Sequence, residues 1–271
     1  MIIDFHTHIF PEKIAGATIS ALANNSGTKP NTDGTANGMI EALNRAKADI
    51  AVTLPVLTKA TQFDSVTKYA ISINEQYKNS KVRLISFGGM HPDCENVDEK
   101  LAFLKENGIL GIKIHPDYQG TFIDDERYIN IIKCAKKYDL IVVTHSGVDD
   151  GYKDQPVRCT VDRVLKVIEE VDYPKFVLGH FGAHRMWDEV LDKLAGKNVY
   201  FDTAFTFNDI DENLFKDIVK KHGADKILFA TDCPWRDIKQ DYDILSSYNL
   251  DKQTFDKITH KNALKLLGIG E

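Results

Sequence analysis

Eight short runs of apolar, largely β-branched residues recur along the chain, separated by longer stretches whose apolar residues fall three and four positions apart. The runs are Ile2 to Phe5, Ile50 to Leu54, Val82 to Phe87, Leu110 to Ile114, Leu140 to Thr144, Phe176 to Gly179, Val199 to Asp202 and Ile227 to Ala230. Continuous apolar runs of this length read as strands of a parallel sheet buried on both faces. Between them, Asn37 to Ala48, Phe63 to Tyr77, Val97 to Glu106, Arg127 to Lys137, Val161 to Glu170, Trp187 to Leu194 and Asp211 to Lys221 have the spacing of amphipathic helices. Ile238 to Ser246 and Lys252 to Leu267 supply a last pair. Eight strands alternating with helices predict an α/β fold, the (β/α)8 TIM barrel, with the active site at the C-terminal ends of the strands. The open doubly wound sheet is the competing architecture. At 271 residues the chain is accounted for by one barrel domain, 1–271.

Two stretches break the rhythm. Asn24 to Gly38 is rich in turn formers and lies in the long connection after the first run, and Ser146 to Cys159 is a polar loop after the fifth. In a barrel both belong over the C-terminal mouth, as loops that meet a substrate.

The formal net charge of -6, with no basic block, makes nucleic acid an unexpected partner. Cys94, Cys134, Cys159 and Cys233 are scattered without metal or disulfide spacing, which points to a reducing, cytoplasmic setting. The N-terminus runs straight into a strand, so neither a leader nor a membrane span is expected. A homo-oligomer is compatible with this composition.

Histidines and acids collect where the strands end. His6 and His8 close the first run, two positions apart, so strict alternation puts both rings on one face, with Asp4 one step deeper as a partner that could orient a ligand. His115 follows the fourth run, His145 the fifth, His180 the sixth, and Asp232 the eighth. Any one of these alone reads as a hydrogen-bonded barrel residue or a turn cap. Together, brought to one mouth by barrel closure, they read as a metal centre. His222 and His260 fall on predicted helices among charged neighbours and read as surface residues.

The segments Asp4-Phe5-His6-Thr7-His8-Ile9-Phe10-Pro11, Gly111-Ile112-Lys113-Ile114-His115-Pro116, the fifth-strand His145, Gly179-His180-Phe181-Gly182, Ala230-Thr231-Asp232-Cys233-Pro234-Trp235 and the closing Asn262 to Gly268 resemble the amidohydrolase superfamily. The resemblance is greatest to the branch of aminocarboxymuconate-semialdehyde decarboxylase and related metal-dependent hydrolases, and it covers nearly the whole chain. It implies that His6, His8, His145 and Asp232 bind a divalent metal and that His180, with Asp232, is catalytic. TatD-like deoxyribonucleases share the barrel, but carry Glu-Thr-Asp where this chain has Ala230-Thr231-Asp232.

Three imidazoles and a carboxylate suit Zn²⁺, with Mn²⁺, Fe²⁺, Co²⁺ or Ni²⁺ as alternatives. A second ion would need a bridging anion, for which Lys113 is the candidate if carboxylated. Otherwise Lys113 serves an ion pair or a substrate carboxylate, and one ion is favoured. Around the mouth the sequence offers His115, His184, Arg185, Trp187, Asp202, Phe205, Phe207, Trp235 and Arg236, a mixture suited to a small carboxylic acid. His115, Lys113, His184 and Trp235 are the substrate-binding candidates. The leading expectation is a metal-dependent hydrolase acting on an ester, amide or lactone of a small molecule through a metal-activated water. The alternative is a non-oxidative decarboxylase of an unsaturated or aromatic acid. A metal-dependent deoxyribonuclease and a non-catalytic metal- or ligand-binding barrel complete the set.

Overall fold

The computed structural model describes residues 1–270. Among them the strands are β1 (Ile3–Thr7), β2 (Ile50–Thr53), β3 (Arg83–Ser86), β4 (Gly88–Gly89), β5 (Gly111–Ile114), β6 (Ile141–Thr144), β7 (Phe176–Leu178), β8 (Tyr200–Asp202) and β9 (Ile227–Leu228). Sequential strands pair in parallel from β1 to β3 and from β4 to β9. β3 and β4 are halves of one barrel strand, flanking Phe87, whose N–H donates to Thr53 O at 2.9 Å. The barrel closes where β1 meets the segment after β9. There Phe5 N–H donates to Phe229 O at 2.9 Å, Asp232 N–H to His6 O at 2.8 Å, and His8 N–H to Cys233 O at 2.7 Å. The result is the (β/α)8 barrel that the alternating pattern predicts.

The helices are α1 (Glu12–Ser26), α2 (Ala36–Ala46), α3 (Phe63–Tyr77), α4 (Val97–Glu106), α5 (Glu126–Lys137), α6 (Val161–Val171), α7 (Trp187–Glu189), α8 (Glu212–His222), α9 (Ile238–Ser247), α10 (Lys252–Asp256) and α11 (Asn262–Leu267). Strand residues divide between two apolar layers, as a period of two requires. Ile3, Ile50, Val52, Val143, Val177 and Leu228 belong to the barrel interior, joined by Ala263, Leu264, Leu266 and Leu267 of α11. Ala51, Ile112, Val142, Leu178 and Phe201 belong to the layer shared with the helices. On α6, Val161, Val164, Val167 and Val171 recur at helical spacing and are buried, each stabilising the fold by roughly 1.5–3 kcal/mol. Side-chain oxygens of Thr35, Asp125, Asp211, Asp237 and Asp251 cap helix starts by accepting backbone N–H groups.

Three local features depart from the sequence pattern. Helix α1 occupies part of the stretch that reads as an open connection, because only Ala15 and Ile19 are buried along it and its apolar period is faint. The predicted helix at 187–194 finishes as a π-turn, Val190–Leu194, and that at 252–267 is interrupted by one, Lys257–Lys261. His222 is buried and not on the surface. Its ring stacks on Phe201 with centroids 3.8 Å apart, while His260 is half-buried. All four cysteines are free thiols, and among the described residues no helix is long and apolar enough to cross a membrane.

His222 Nε2 donates to Val199 O at 3.1 Å and Nδ1 accepts Gly196 N–H at 3.2 Å, so both nitrogens are used in the neutral ring. Burial holds the imidazole down to about 4 from 6.5. The unfolded chain therefore takes up this proton first, and the stability contributed by neutral His222 is present above pH 6.5 and lost as pH falls through 4. Replacing His222 by Gln should lower Tm most above pH 6.5. The gap from wild type should close by roughly 3 kcal/mol toward pH 4. A gap independent of pH in calorimetry would contradict this assignment.

Candidate active site

A bulge re-aims the end of β1. Asp4 pairs with Ala51 and Thr7 with Thr53, so β1 takes three steps where β2 takes two, and the alternation of faces slips by one. Asp4 is thereby separated from the face of His6. Its oxygens receive the Thr231 N–H at 3.0 Å, the Thr231 hydroxyl at 2.5 Å and the His6 N–H at 3.3 Å. Burial pushes this carboxyl up to about 8, against those bonds. Asp4 thus clamps β1 to the segment after β9 and touches no imidazole ring, contrary to the role that strict alternation suggests.

The carboxylate that orients His6 is Asp202, at the end of β8, whose Oδ2 lies 2.9 Å from His6 Nδ1. With Nδ1–H donated there, Nε2 keeps its lone pair. His8 is set the same way, because its Nδ1 lies 2.8 Å from Leu54 O, which can only accept. The free Nε2 of His8 then faces Asp232 Oδ1 at 2.9 Å, and His6 Nε2 lies 3.7 Å from the same oxygen. Acceptors at that separation repel unless positive charge lies between them. The ligand atoms of His6, His8 and Asp232 all fall within 4.8 Å of one another, and two neutral imidazoles with one carboxylate fit a divalent transition ion. Lys113 is the nearest cation, its Nζ 3.0 Å from His6 Nε2. Burial pushes Lys113 down to about 8, with Asp202 and Asp232 opposing.

His180 and Asp232 both adopt left-handed backbone, φ 60° and 68°, and Phe181 follows at 58°. Such conformations cost roughly 1–3 kcal/mol each and persist only where neighbours fix them. At His180 the fixing groups are Asp202 Oδ1, which accepts its N–H at 3.0 Å, and Asp202 O, which accepts the N–H of Phe181 at 2.6 Å. The His180 ring donates from Nδ1 to Ala204 O at 3.0 Å and meets His145 Nδ1 with Nε2 at 2.9 Å. Burial first, then His145 and His6, hold His180 well below the usual imidazole range. Gly179 allows the approach, since a Cβ there would lie 2.9 Å from Thr144 O and 3.4 Å from His6 Cε1.

His145 stands beside this group and not inside it. Its Nε2 is buried without a hydrogen-bond partner, 3.8 Å from Asp117 Oδ2, itself unpartnered. With His115 and Asp149 it forms a second close set, in which His115 stacks on His145 at 4.4 Å and its Nε2 lies 3.5 Å from Asp149 Oδ2. Burial raises Asp149 to about 7. Asp117 and Asp149 carry no strand-end motif, and only their loop positions, two residues past His115 and in the polar stretch after the fifth run, hint at the site.

These groups form the floor of a cavity of about 650 Å³. Lys113, His115, His184 and Trp235, the sequence candidates for substrate contact, all line it, as does Phe205. Both ring nitrogens of His184 are buried and unpartnered. Arg185, Trp187, Asp202, Phe207 and Arg236 are not in its wall. Arg185 is exposed and bound to Asp150 and Asp209, Arg236 is bound to the buried Asp241, and the Trp187 indole donates to His180 O at 3.1 Å. Ser26, Thr28 and Val148 to Asp150 line the cavity too, so the turn-rich stretch and the polar loop both reach the mouth.

The same architecture recurs in known proteins. An uncharacterized TIM-barrel protein from Bordetella bronchiseptica superposes with a TM-score of 0.76 at 15% identity, over 98% of each chain. The 5-carboxyvanillate decarboxylase of Sphingomonas paucimobilis gives a TM-score of 0.71 at 11% identity, over 99% of each chain. A dihydroxybenzoic acid decarboxylase from Polaromonas, with bound manganese and the inhibitor 2-nitroresorcinol, gives 0.68 at 17% identity, over 98% of this chain and 96% of that one. No curated protein sequence matches the chain. A family model described as Amidohydrolase matches residues 3–269. By that match over almost its full length, the chain belongs to the amidohydrolase family of metal-dependent enzymes.

Proposed function

We propose that the protein is a metal-dependent, non-oxidative decarboxylase of an aromatic or unsaturated carboxylic acid, built as one barrel domain. The observation that carries this reading is the segregation of the cavity. His6, His8, Lys113, His145, His180 and Asp232 gather at its floor, while Ile9, Phe10, Leu54, Pro55, Val56 and Val66 are among its other walls. A substrate that suits this has one acidic end and an apolar body. An ester, amide or lactone need bring no free carboxylate to the cation at that floor, so the hydrolase expectation fits less well. The decarboxylases of similar fold, named for 5-carboxyvanillate and for dihydroxybenzoic acid, support the same choice. The acids lining the cavity, Asp149, Asp150 and Asp232, disfavour a nucleic-acid backbone.

In this reading His6, His8 and Asp232 would hold one divalent ion, while His145, whose free Nε2 faces Asp117 Oδ2 at 3.8 Å, stands beside that set. The imidazole donors favour zinc, and manganese, bound in a decarboxylase of similar fold, is the alternative. The bound ion supplies Lewis-acid attraction for the substrate carboxylate and fixes its orientation. Lys113, whose Nζ lies 3.0 Å from His6 Nε2, would yield that lone pair to the ion and add a second positive charge at the floor, and His184 offers two nitrogens to substituents of the ring. The carbon–carboxylate bond breaks with its electron pair left on carbon, that carbon takes a proton, and carbon dioxide leaves. His180 is the residue placed to move the proton: its neutral ring, which accepts the His145 Nδ1–H at Nε2, would first take a proton there, and burial makes that charged form give it up readily.

Metal analysis after dialysis should find about one divalent ion per chain in the wild type, and His6→Ala or His8→Ala should lose both ion and activity. Full metal retention in both variants would remove these residues from the ligand set. The His180→Asn variant should keep its fold and most of its metal while turnover, read as carbon dioxide release from hydroxybenzoates and unsaturated acids, falls by roughly 10² to 10⁴. Unchanged turnover would exclude His180 from proton transfer. Release of a carboxylate from esters or lactones, with no carbon dioxide from any acid tested, would return the reading to hydrolysis.

A further inference from the structure

The cavity is much larger than a one-ring acid needs. Its volume of about 650 Å³ is roughly four times the ~150 Å³ that encloses a benzene molecule in a dry protein cavity. Away from the polar floor the cavity reaches α1 and α3, where Ile14 and Leu22 of α1 and Val66 and Tyr69 of α3 line it with Pro55 and Val56, beside the polar Thr18, Gln62 and Ser65. This space is held open by the chain's own bonds. Tyr69 donates its hydroxyl to Phe10 O at 3.2 Å, tying α3 to the segment before α1, and Asn25 donates to Gly151 O at 2.9 Å, tying the end of α1 to the loop after β6. Ile14, although apolar, is 50% exposed and is one of three large apolar side chains left so among the described residues. Uncovered apolar surface inside a preformed cleft is surface that a ligand covers.

We infer that the substrate is an elongated amphiphilic acid, with its carboxylate-bearing unsaturated carbon at the floor and an apolar arm of roughly two further ring units' bulk lying between α1 and α3. The inference rests on the proposed decarboxylase reading for the orientation of the acid, and α1 becomes its specificity element. The chain leaves the reacting end small and polar and commits α1, a helix poor in buried residues, to recognising what lies beyond.

The test uses the metal-loaded full chain and two probes, 2-hydroxybenzoate and a set of its 4- and 5-substituted phenyl and hexyl derivatives. Dissociation constants come from calorimetry, independently of turnover. The best extended acid should bind at least about 10-fold more tightly than the parent, from the apolar area it buries. In Leu22→Trp, which fills the arm space, and in Ile14→Ser, at an exposed position with little bearing on folding, that preference should fall several-fold, with Tm reporting that each variant is folded. Equal binding of parent and extended acids in the wild type would overturn the inference, as would a preference that survives both variants. Tight binding of extended acids without carbon dioxide release would sustain the arm site and reject the decarboxylase reading. Carbon dioxide release from the parent with no gain from any extension would do the reverse, and failure of all the acids to bind would overturn both.

Discussion

Both oxygens of Asp202 are engaged at the floor of the site, and two catalytic-end histidines take their positions from it. Oδ2 fixes the His6 ring through Nδ1, while Oδ1 receives the backbone N–H groups of His180 and Ala204. The first bond sets which nitrogen of His6 faces the cavity, and the second holds His180 in a backbone conformation it would not otherwise keep. Ala204 in turn accepts Nδ1 of His180, so the ring is oriented by the residue that the same carboxylate steadies. A fully buried acid on β8 thereby couples the ends of β1 and β7, which are far apart in the chain.

Burial gives these imidazoles their chemical character. His6, His145 and His180 are each held well below the ordinary imidazole range, with desolvation the leading cause. Neutral rings with defined lone pairs are the form in which histidine binds a metal. In an apolar cavity the attraction between such a centre and a carboxylate is screened less than in water, so the walls contribute to the chemistry as well as to fit.

Much of this is readable from the sequence because it depends on period. Phe63 to Tyr77 and Val97 to Glu106 begin and end where their apolar spacing does, and the strand-end positions of His6, His8, His145, His180 and Asp232 follow from the strands being short and bounded. The remainder depends on contacts that period does not encode. A one-residue bulge in β1 moves Asp4 off the face of His6, and no local signal marks it. Helix α1 is held by the mouth it lines more than by an apolar stripe. His222, among lysines in sequence, is drawn inward by the face of Phe201 and by two backbone groups from the connection before β8. Asp202 is visible as a polar residue at a strand end, but its double engagement requires the barrel to be closed.

The central claim is that His6, His8 and Asp232 surround a divalent ion, and the position of that ion is the most direct test. Crystals equilibrated with manganese and measured above its absorption edge should give one strong anomalous difference peak within bonding distance of His6 Nε2, His8 Nε2 and an oxygen of Asp232. An empty map at that point, or a peak confined to the neighbouring set of His115, His145 and Asp149, would contradict the account.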